Sequence, residues 1–284
     1  MKQQINVRIA DPSGNTTIFV LDRTDRRDYA AVAKALLIKR YYAEGRELIP
    51  EQVAFVTGPA SMEMCGLEFC GNATRAFALM CAEAGQYRLP DGSGVVRVQV
   101  SGAEEPLDVT VTLETGYTSV RMPDHQEVSE FEGGTLVRYD GIVHLILDDI
   151  PSDERFEELR EMIATALDPP AIGVMFCPEE AVEVSHFRFD LPEDVSGAET
   201  VYMAPVVYVR DVNTVYHEGS CASGTTAVAV ARSCGKPDGK YQYDVCQPAG
   251  TLTATATVDG GAVTSVWIEG EVRLYEPTTV EIDW

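Results

Sequence analysis

The sequence places Cys70-Gly71-Asn72-Ala73-Thr74-Arg75-Ala76-Phe77-Ala78 in its first half and a second stretch of the same design, Cys221-Ala222-Ser223-Gly224-Thr225-Thr226-Ala227-Val228-Ala229, in its second half. Cys, Thr, Ala and Ala occupy the same offsets in both stretches. In each stretch a cysteine precedes small polar residues that suit the start of a helix, and an alanine-rich apolar run follows. The sequence therefore predicts a thiol at the beginning of a helix in each half of the chain.

A helix start would give each thiol a distinctive chemistry. It presents unpaired backbone N–H groups and about half a positive charge, which favour thiolate over thiol. The same N–H groups, here those of Gly71, Asn72, Ala222 and Ser223, can hold a carboxylate. Two such thiols are what an enzyme needs to remove a proton from one face of a carbon and return one to the other face. The repeat therefore predicts Cys70 and Cys221 as a pair of acid/base groups.

The composition excludes several classes of partner. The 284 residues include 45% hydrophobic residues, which suits one large globular domain or two of ordinary size. The net charge of −23 argues against nucleic acid and against anionic membrane surfaces. No apolar run is long enough to span a membrane, and the N-terminal residues lack the apolar centre of a signal peptide. We expect a cytoplasmic protein with a small-molecule substrate.

The cysteines and histidines argue against disulfides and metal. Seven cysteines without a secretion signal predict reduced thiols, and none of them forms a Cys-x-x-Cys pair. The four histidines show no metal-ligand spacing, so no metal site is expected.

Short strands with turn residues between them dominate the secondary-structure pattern. Thr251–Val258 alternates strictly between apolar and polar residues, and Val182–Phe189 is a further predicted strand. A polar segment at Pro123–Gly134 is interpreted as the link between two halves. The predicted helices are Asp28–Glu44, Asn72–Ala84, Ser152–Leu167 and Ser223–Ser233. We predict an α+β fold with two lobes, each a mostly antiparallel sheet wrapped around a buried helix.

Four patches of sequence, in order along the chain, carry a family resemblance. They are Gly14–Asp22, Phe69–Arg75, Gly141–Asp149 and Glu218–Gly224. These patches resemble the diaminopimelate epimerase superfamily of cofactor-independent amino-acid racemases and epimerases. The second patch is similar to that superfamily's first cysteine motif, Cys-Gly-Asn-Gly-x-Arg, and the fourth is similar to its second, Cys-Gly-Ser/Thr-Gly.

The resemblance implies a fold and a set of roles. It implies two pseudo-symmetric lobes, with residues 1–125 carrying Cys70 and residues 126–272 carrying Cys221, and a last strand at about 273–284 that returns to the first lobe. The two cysteines are the implied catalytic bases, and no pyridoxal phosphate, metal or nucleotide is implied. The implied substrate-binding residues are Asn15, Gly71, Asn72, His144, Ala222, Ser223 and Gly224.

Departures from the superfamily pattern narrow the substrate. Diaminopimelate epimerases grip the far end of their substrate with asparagines and an arginine, whereas this chain has Ile142 and Ala171 at two of those positions and only Arg210 as a remnant of a Glu-Arg pair. Binding diaminopimelate in a buried site would leave its distal charged groups unpaired, at a cost of several kcal/mol. Diaminopimelate is therefore disfavoured as the substrate. The remaining pattern resembles the branch that racemises histidine, as in metallophore biosynthesis. An imidazole needs a carboxylate partner, for which the candidates are Glu44, Glu47, Glu63 and Glu68.

Other functions remain open at the level of sequence. The first alternative is a diaminopimelate epimerase or an epimerase with another amino-acid substrate. An isomerase of the phenazine-biosynthesis type uses a carboxylate in place of the first thiol, and Glu68 lies close to Cys70 in sequence. A non-catalytic amino-acid-binding protein would bind its ligand without exchanging the α-proton. Proline racemases also use two cysteines but differ in the flanking motifs. The oligomeric state is open as well, and a homodimer is one candidate.

Overall fold

A computed structural model describes residues 2–182, 198–211 and 213–284 of the chain. These residues divide into two compact units. Unit 1 comprises Met1–Val120 together with Glu269–Trp284, and unit 2 comprises Arg121–Ile268. Both units combine sheets with a few helices, so the predicted α+β class is confirmed.

Unit 1 is built around a closed barrel of eight strands. In order around the barrel they are β19 (Ala262–Leu274), β9 (Tyr117–Arg121), β8 (Leu107–Thr112), β7 (Ser93–Val100), β6 (Ser61–Met64), β5 (Gln52–Gly58), β2 (Thr17–Val20) and β1 (Lys2–Pro12), which pairs back with β19. The strand β20 pairs with β1 outside this ring, and β3 and β4 form a separate hairpin. The strands of unit 1 are β1 Lys2–Pro12, β2 Thr17–Val20, β3 Tyr41–Ala43, β4 Arg46–Leu48, β5 Gln52–Gly58, β6 Ser61–Met64, β7 Ser93–Val100, β8 Leu107–Thr112, β9 Tyr117–Arg121, the last residues of β19, and β20 Thr278–Asp283.

The helix α2, Gly71–Glu83, supplies the core of this barrel. Its residues from Gly71 to Ala82 are all buried, and the helix contacts β1, β7 and β8. A helix that is buried all round needs small or apolar residues on every face, which the alanine-rich sequence supplies. It ends before Gly85, which has a φ of +72°, a conformation that favours glycine after a helix. The prediction for this helix is correct to within one residue at each end.

The helix α1, Tyr29–Leu37, is shorter than predicted. The sequence pattern predicts a helix over residues 28–44, but the chain leaves the helix after Leu37 and enters the strand β3 at Tyr41. Two consecutive tyrosines favour a strand, and Glu44 and Gly45, both with positive φ, form the tight hairpin turn to β4. The predicted helix was wrong beyond Leu37 because its last predicted residues belong to the β3–β4 hairpin.

Unit 2 contains a six-stranded sheet with the order β10-β11-β12-β13-β15-β16 and a group of strands with the order β14-β17-β18-β19. The pair β12–β13 is parallel, and the helix α3 connects its two strands. The strands are β10 Glu127–Phe131, β11 Gly134–Tyr139, β12 Ile142–Leu147, β13 Ala171–Phe176, β14 Glu199–Tyr202, β15 Ala204–Val209, β16 Thr214–His217, β17 Gly239–Gln247, β18 Gly250–Asp259 and β19 Ala262–Leu274, the last of which continues into unit 1.

Two helices pack on the sheets of unit 2. The helix α4, Ala222–Ser233, contacts β11, β12 and β13 as well as β17 and β18, so it fills the core between the two groups of strands. The helix α3, Asp153–Leu167, begins after the capping residue Ser152, whose Oγ accepts a hydrogen bond from the Arg155 N–H at 3.4 Å, and packs on β13. Both helices lie within one residue of their predicted bounds.

Three further sequence-based assignments have different outcomes in the structure. The alternating strand predicted at Thr251–Val258 is confirmed by β18, in which every second residue from Leu252 to Val258 is buried. The strand predicted at residues 182–189 lies, from residue 183 onward, outside the described residues. The segment interpreted as a link, 123–134, contains the strand β10.

Candidate active site

Cys70 is the capping residue at the beginning of α2. Its backbone is extended, with φ −129° and ψ 112°, and its side chain turns back to accept a hydrogen bond from the Ala73 N–H at 3.4 Å from Sγ. Its carbonyl oxygen accepts bonds from both the N–H and the Oγ1 of Thr74, at 2.9 and 2.7 Å. The thiol is half-buried. The predicted placement of a thiol at a helix start, where N–H groups stabilise negative charge, is therefore observed.

A glutamine that sequence reasoning missed contacts this thiol. The Gln52 Nε2 lies 3.3 Å from the Cys70 Sγ and 2.9 Å from the Thr17 Oγ1, and it also donates to the side-chain oxygen of Asn15. The parallel pairing of β2 with β5, which sets Thr17 opposite Gln52, brings these residues together. Gln52 therefore supplies a second donor to the Cys70 sulfur and joins it to Asn15, a predicted substrate contact that is almost fully buried.

A carboxylate belongs to the same cluster, although it is not one of the four glutamates named from sequence. The Asn15 Nδ2 donates to Glu51 Oε2 at 2.7 Å. Glu51 immediately precedes Gln52 at the beginning of β5, and its own N–H bonds to the Thr16 carbonyl at 2.9 Å. The contacts therefore run without interruption from the Cys70 sulfur through Gln52 and Asn15 to the Glu51 carboxylate.

The four glutamates named from sequence lie elsewhere in unit 1. Glu44 and Glu47 are exposed on the β3–β4 hairpin, where they face Arg273 at 3.8 Å and Arg40 at 3.4 Å. The carboxylate of Glu63 accepts bonds from Arg26 and from the Tyr29 hydroxyl, and the bond from Arg26 holds the pKa of Glu63 below its ordinary value. Glu68 folds against Gly66 in its own loop. No contact between any of these carboxylates and Cys70 is seen in the described part of unit 1.

Gly71 and Asn72 are the first two residues of α2, as predicted. Both are buried, and first-turn N–H groups have no acceptor within a helix. The side-chain oxygen of Asn72 accepts a bond from the Arg75 Nη2 at 3.0 Å, which fixes its orientation.

Cys221 repeats the arrangement at the beginning of α4. Its backbone is again extended, with φ −114° and ψ 109°, and its Sγ accepts a hydrogen bond from the Gly224 N–H at 3.4 Å. The Ser223 hydroxyl lies 3.5 Å from the same sulfur. The residue is 5% exposed, so this thiol is more deeply buried than Cys70.

A second glutamine missed from sequence holds the backbone of Cys221. The Gln247 Oε1 accepts a bond from the Cys221 N–H at 2.6 Å, and its Nε2 donates to Ser220 Oγ at 3.3 Å and to Thr225 Oγ1 at 3.1 Å. The Thr225 hydroxyl in turn donates to the Cys221 carbonyl at 2.8 Å. Gln247, Ser220 and Thr225 are fully buried, so this network fixes the conformation of the cysteine from both sides.

The Glu218 carboxylate gives the Cys221 thiol an electrostatic environment that differs from that of the Cys70 thiol. Burial raises the pKa of Cys221 well above its ordinary value, and the charge of Glu218 and a hydrogen bond to its carboxylate raise it further. The hydrogen bonds from the Ser223 hydroxyl and the Gly224 N–H lower the pKa of Cys221. Burial also raises the pKa of Glu218. Cys221 is therefore a thiol at neutral pH, with a proton acceptor beside it.

Ala222, Ser223 and Gly224 form the first turn of α4, and the glycine is required by packing. A Cβ on Gly224 would lie 3.3 Å from the Cys221 Sγ and under 3.0 Å from the Sδ of Met175, a fully buried residue of β13. The close approach of Met175 to the start of α4 leaves no room for a side chain there.

His144 lies in the middle of β12 and is fully buried. Neither of its ring nitrogens has a hydrogen-bond partner in the described residues, and burial lowers the pKa of the imidazole to about 3. Its ring packs edge-on against Tyr139 at a centroid distance of 6.0 Å and closely against Gly173. His144 is therefore neutral, and its predicted role as a substrate contact stays a prediction.

Two features are absent from the described residues. Within residues 2–182, 198–211 and 213–284, no helix has the length and apolar character of a membrane span. The same residues contain no group of three His, Cys, Asp or Glu side chains that could hold a metal ion.

Comparison with known proteins identifies the family. Residues 4–186 and 197–278 match the family model described as the N-terminal domain of histidine racemase CntK. The chain belongs to the CntK histidine racemase family. A histidine racemase from Fusobacterium nucleatum subsp. nucleatum is 30% identical over 280 residues, which cover 93% of this chain and 91% of that protein. A histidine racemase from Staphylococcus aureus is 24% identical over 270 residues, covering 90% and 89% of the two chains.

Solved structures show the same fold at low sequence identity. A hydroxyproline epimerase from Agrobacterium vitis with bound trans-4-hydroxy-L-proline matches with a TM-score of 0.59 at 13% identity, over 99% of this chain and 93% of that one. A PhzC/PhzF phenazine-biosynthesis protein from Clostridium difficile matches with a TM-score of 0.56 at 13% identity, over 98% and 100%. The fold alone is shared by racemases and by other isomerases, whereas the family match assigns this chain to the amino-acid racemases and hence to the isomerases. The resemblance to the histidine racemase branch is thereby confirmed.

Proposed function

We propose that this member of the CntK histidine racemase family interconverts L- and D-histidine, with Cys70 and Cys221 as the two acid/base groups. One observation carries the proposal. Each unit presents a cysteine as the capping residue of a buried helix, with its sulfur bonded to a first-turn N–H group. Racemisation by two bases requires two such groups, on opposite faces of one α-carbon.

The helix starts supply what the reaction needs besides the thiols. The substrate carboxylate would bind the first-turn N–H groups of α2 and α4, those of Gly71, Asn72, Ala222 and Ser223. The same groups would stabilise the additional negative charge that the carboxylate acquires when the α-carbon loses its proton. The chemistry consists of two proton transfers, for which the thiols and N–H groups suffice, and we propose that it needs neither pyridoxal phosphate nor metal.

The two thiols enter the reaction differently. Cys221, whose pKa is raised by burial and by Glu218, is the proton donor in the direction in which Cys70 removes the α-proton. In the reverse direction Cys221 must first lose its proton, and the adjacent Glu218 carboxylate is the acceptor. Glu218 is thus proposed to serve the second base.

The environment of Cys221 predicts the pH dependence. In the direction that needs Cys221 as acid, activity is lost when pH rises through the pKa of this thiol, so the basic limb should lie above the ordinary thiol value of 9. Glu218→Gln removes the negative charge that raises this pKa, so the basic limb should move to lower pH. Initial rates from each enantiomer between pH 6 and about 11 test this. A basic limb that is unchanged in the folded Glu218→Gln variant would remove Glu218 from the mechanism.

We propose that Glu51 recognises the imidazole ring of histidine. It is the carboxylate joined to Cys70 through Asn15 and Gln52, and it can accept a hydrogen bond from a ring N–H. Glu51→Gln replaces a charged acceptor by a neutral one and should raise KM for histidine about tenfold, the difference expected between a hydrogen bond to a charged group and one to a neutral group. The matched variants Glu44→Gln, Glu47→Gln, Glu63→Gln and Glu68→Gln test the four glutamates named from sequence. If one of these changes KM and Glu51→Gln does not, that residue takes over the role.

The substrate assignment is tested with a panel of amino acids. Purified protein under reducing conditions is incubated with each L-amino acid and with LL-diaminopimelate, and the stereoisomers are separated chromatographically. Racemisation of histidine, well above that of any other compound, is the expected result. Turnover of diaminopimelate in preference to histidine would establish the epimerase alternative, and absence of turnover with the whole panel would favour a binding protein.

We also propose a cytoplasmic enzyme of metallophore biosynthesis. All seven cysteines are free, which suits a reducing compartment. The pathway follows from the branch that the sequence resembles, and it is tested by deleting the gene and assaying the culture for a metallophore that contains D-histidine.

A further inference from the structure

Gln247 is the last residue of β17, and it is fully buried beside Cys221. Its Oε1 accepts from the Cys221 N–H at 2.6 Å, and its Nε2 donates to the hydroxyl oxygens of Ser220 and Thr225 at 3.3 and 3.1 Å. The Thr225 hydroxyl gives its own hydrogen to the Cys221 carbonyl at 2.8 Å. The amide of Gln247 therefore fits this network in one orientation, with its oxygen toward the Cys221 N–H.

The start of α4 has one half of a capping box. In a capping box the side chain of the capping residue accepts from the N–H three residues later, and the side chain of that later residue accepts from the N–H of the capping residue. Cys221 makes the first bond, because its Sγ accepts from the Gly224 N–H at 3.4 Å. Gly224 has no side chain for the second bond, and the buried Met175 occupies the space that one would need.

We propose that Gln247 supplies the second bond of this capping box from β17, in place of Gly224, and that it thereby holds the Cys221 thiol in its reactive position. Gln247 acts through Cys221 and is a positioning residue. Its effect on turnover rests on the proposed function, in which Cys221 is one of the two acid/base groups. The bond also occupies the Cys221 N–H, which leaves the N–H groups of Ala222 and Ser223 for the substrate carboxylate at this helix.

The bond to Gln247 controls the thiol through the backbone of Cys221. The residue has an extended backbone, with φ −114° and ψ 109°, and this conformation turns its side chain back onto the first turn of α4. Cys221 is buried, so an N–H group left without an acceptor would be costly there. Without Gln247 the backbone would have to rotate to find another acceptor, and the sulfur would move with it.

Gln247→Met keeps the length of the side chain and removes both its acceptor and its donors. We expect kcat for histidine racemisation to fall about tenfold while KM changes less than about twofold, because the thiol is displaced and the groups proposed to bind the substrate remain. Gln99→Met in unit 1 is the matched control. The Gln99 Nε2 donates to the Ala103 carbonyl at 3.4 Å, and this variant should keep the wild-type kcat.

Variants of Thr225 test whether Gln247 acts through the described network. Thr225→Val removes the hydroxyl between Gln247 and the Cys221 carbonyl and should lower kcat, and Thr225→Ser should recover most of that loss. If the residues act as one unit, the double variant Gln247→Met with Thr225→Val loses little more than Gln247→Met alone. Losses that multiply in the double variant would show independent effects and overturn the proposal.

Amide hydrogen exchange reports the bond without turnover. In protein that carries isotope-labelled cysteine, we expect the Cys221 amide to exchange at least about tenfold faster in Gln247→Met than in wild type. The Cys177 amide of unit 2 donates to the Leu147 carbonyl at 2.7 Å and should exchange as in wild type, which shows that the unit is still folded. A folded Gln247→Met variant with an unchanged Cys221 exchange rate would overturn the proposal.

The wild-type protein decides the matter even if Gln247→Met does not fold. Its Cys221 amide must exchange more slowly than the same amide in an unstructured peptide, and an equal rate would overturn the proposal. The exchange measurement needs no substrate. A protein that shows the expected exchange rates but racemises no amino acid would therefore refute the proposed function and leave the role of Gln247 at the start of α4 intact.

Discussion

Replacing Cys70 or Cys221 by serine is expected to lower kcat for histidine racemisation by a factor of about 10² to 10⁴ in both directions. A serine hydroxyl is a far weaker acid than a thiol and cannot serve as a base near neutral pH, and a positioned acid or base contributes about this factor. Both directions are affected because, in the proposed mechanism, each cysteine is the base in one direction and the acid in the other. KM should change less than kcat, since the groups proposed to bind the substrate carboxylate are backbone N–H groups that both variants retain.

The rates are measured by polarimetry or chiral chromatography from L- and from D-histidine. Cys234→Ser is the matched control, because this thiol is exposed and remote from either helix start in sequence, and it should retain full activity. Circular dichroism confirms that each variant is folded. Either active-site variant retaining more than a tenth of the wild-type kcat would contradict the two-thiol assignment.

Gly224→Ala is expected to lower kcat about a hundredfold while the protein remains folded. The new Cβ would lie 3.3 Å from the Cys221 sulfur and in steric conflict with the buried Met175. The first turn of α4 and the thiol must shift to accommodate it, and a displacement of about 1 Å at a reacting group costs about this factor. Alkylation of Cys221, compared with that of Cys70, reports the displacement independently of turnover.

Gly58→Ala is the matched control for this change. A Cβ on Gly58 would lie 3.5 Å from that of Ser61, an ordinary contact, and its φ is not positive. This variant should be as active as wild type. If folded Gly224→Ala has a wild-type kcat, then the packing at the start of α4 does not position the thiol.

The helices that carry the thiols could be predicted because their signals are local. A cysteine, small polar residues, an alanine-rich run and a terminal glycine lie within some fifteen residues, and α2 and α4 begin within one residue of the predicted positions. Helix α1 shows the limit of such signals. Its apolar pattern continues past Leu37 into residues that form the β3–β4 hairpin. The sequence around α1 does not show that these residues pair as two strands.

The residues that support the thiols could not be predicted because strand pairing brings them together. Gln52 lies 18 residues from Cys70 and reaches it through the pairing of β2 with β5. Gln247 lies 26 residues from Cys221, at the end of β17. Neither has a distinctive sequence context. Glu218 was within reach of sequence reasoning, since it lies three residues before Cys221 in a quoted motif, but its contact with the thiol was not visible there.

The specificity for the substrate's side chain could likewise be predicted only in part from the sequence. The absence of the groups that grip a distal amino acid was readable from Ile142 and Ala171, and the family match agrees with the branch that this absence indicated. The sequence could not show which glutamate lies in the cluster of side chains around the Cys70 thiol. Glu51 is distinguished by its hydrogen bond to Asn15, which depends on how β5 begins beside β2.

The most direct test of the central claim follows the solvent label at the α-carbon. L-histidine is incubated with the enzyme in D₂O, and both enantiomers are analysed by mass spectrometry before a tenth of the substrate has reacted. If one thiol removes the proton and the other delivers a different one, the D-histidine formed carries deuterium at the α-carbon and the remaining L-histidine carries none. Deuterium in both enantiomers to the same extent, or protium retained in the product, would show a single base and contradict the account.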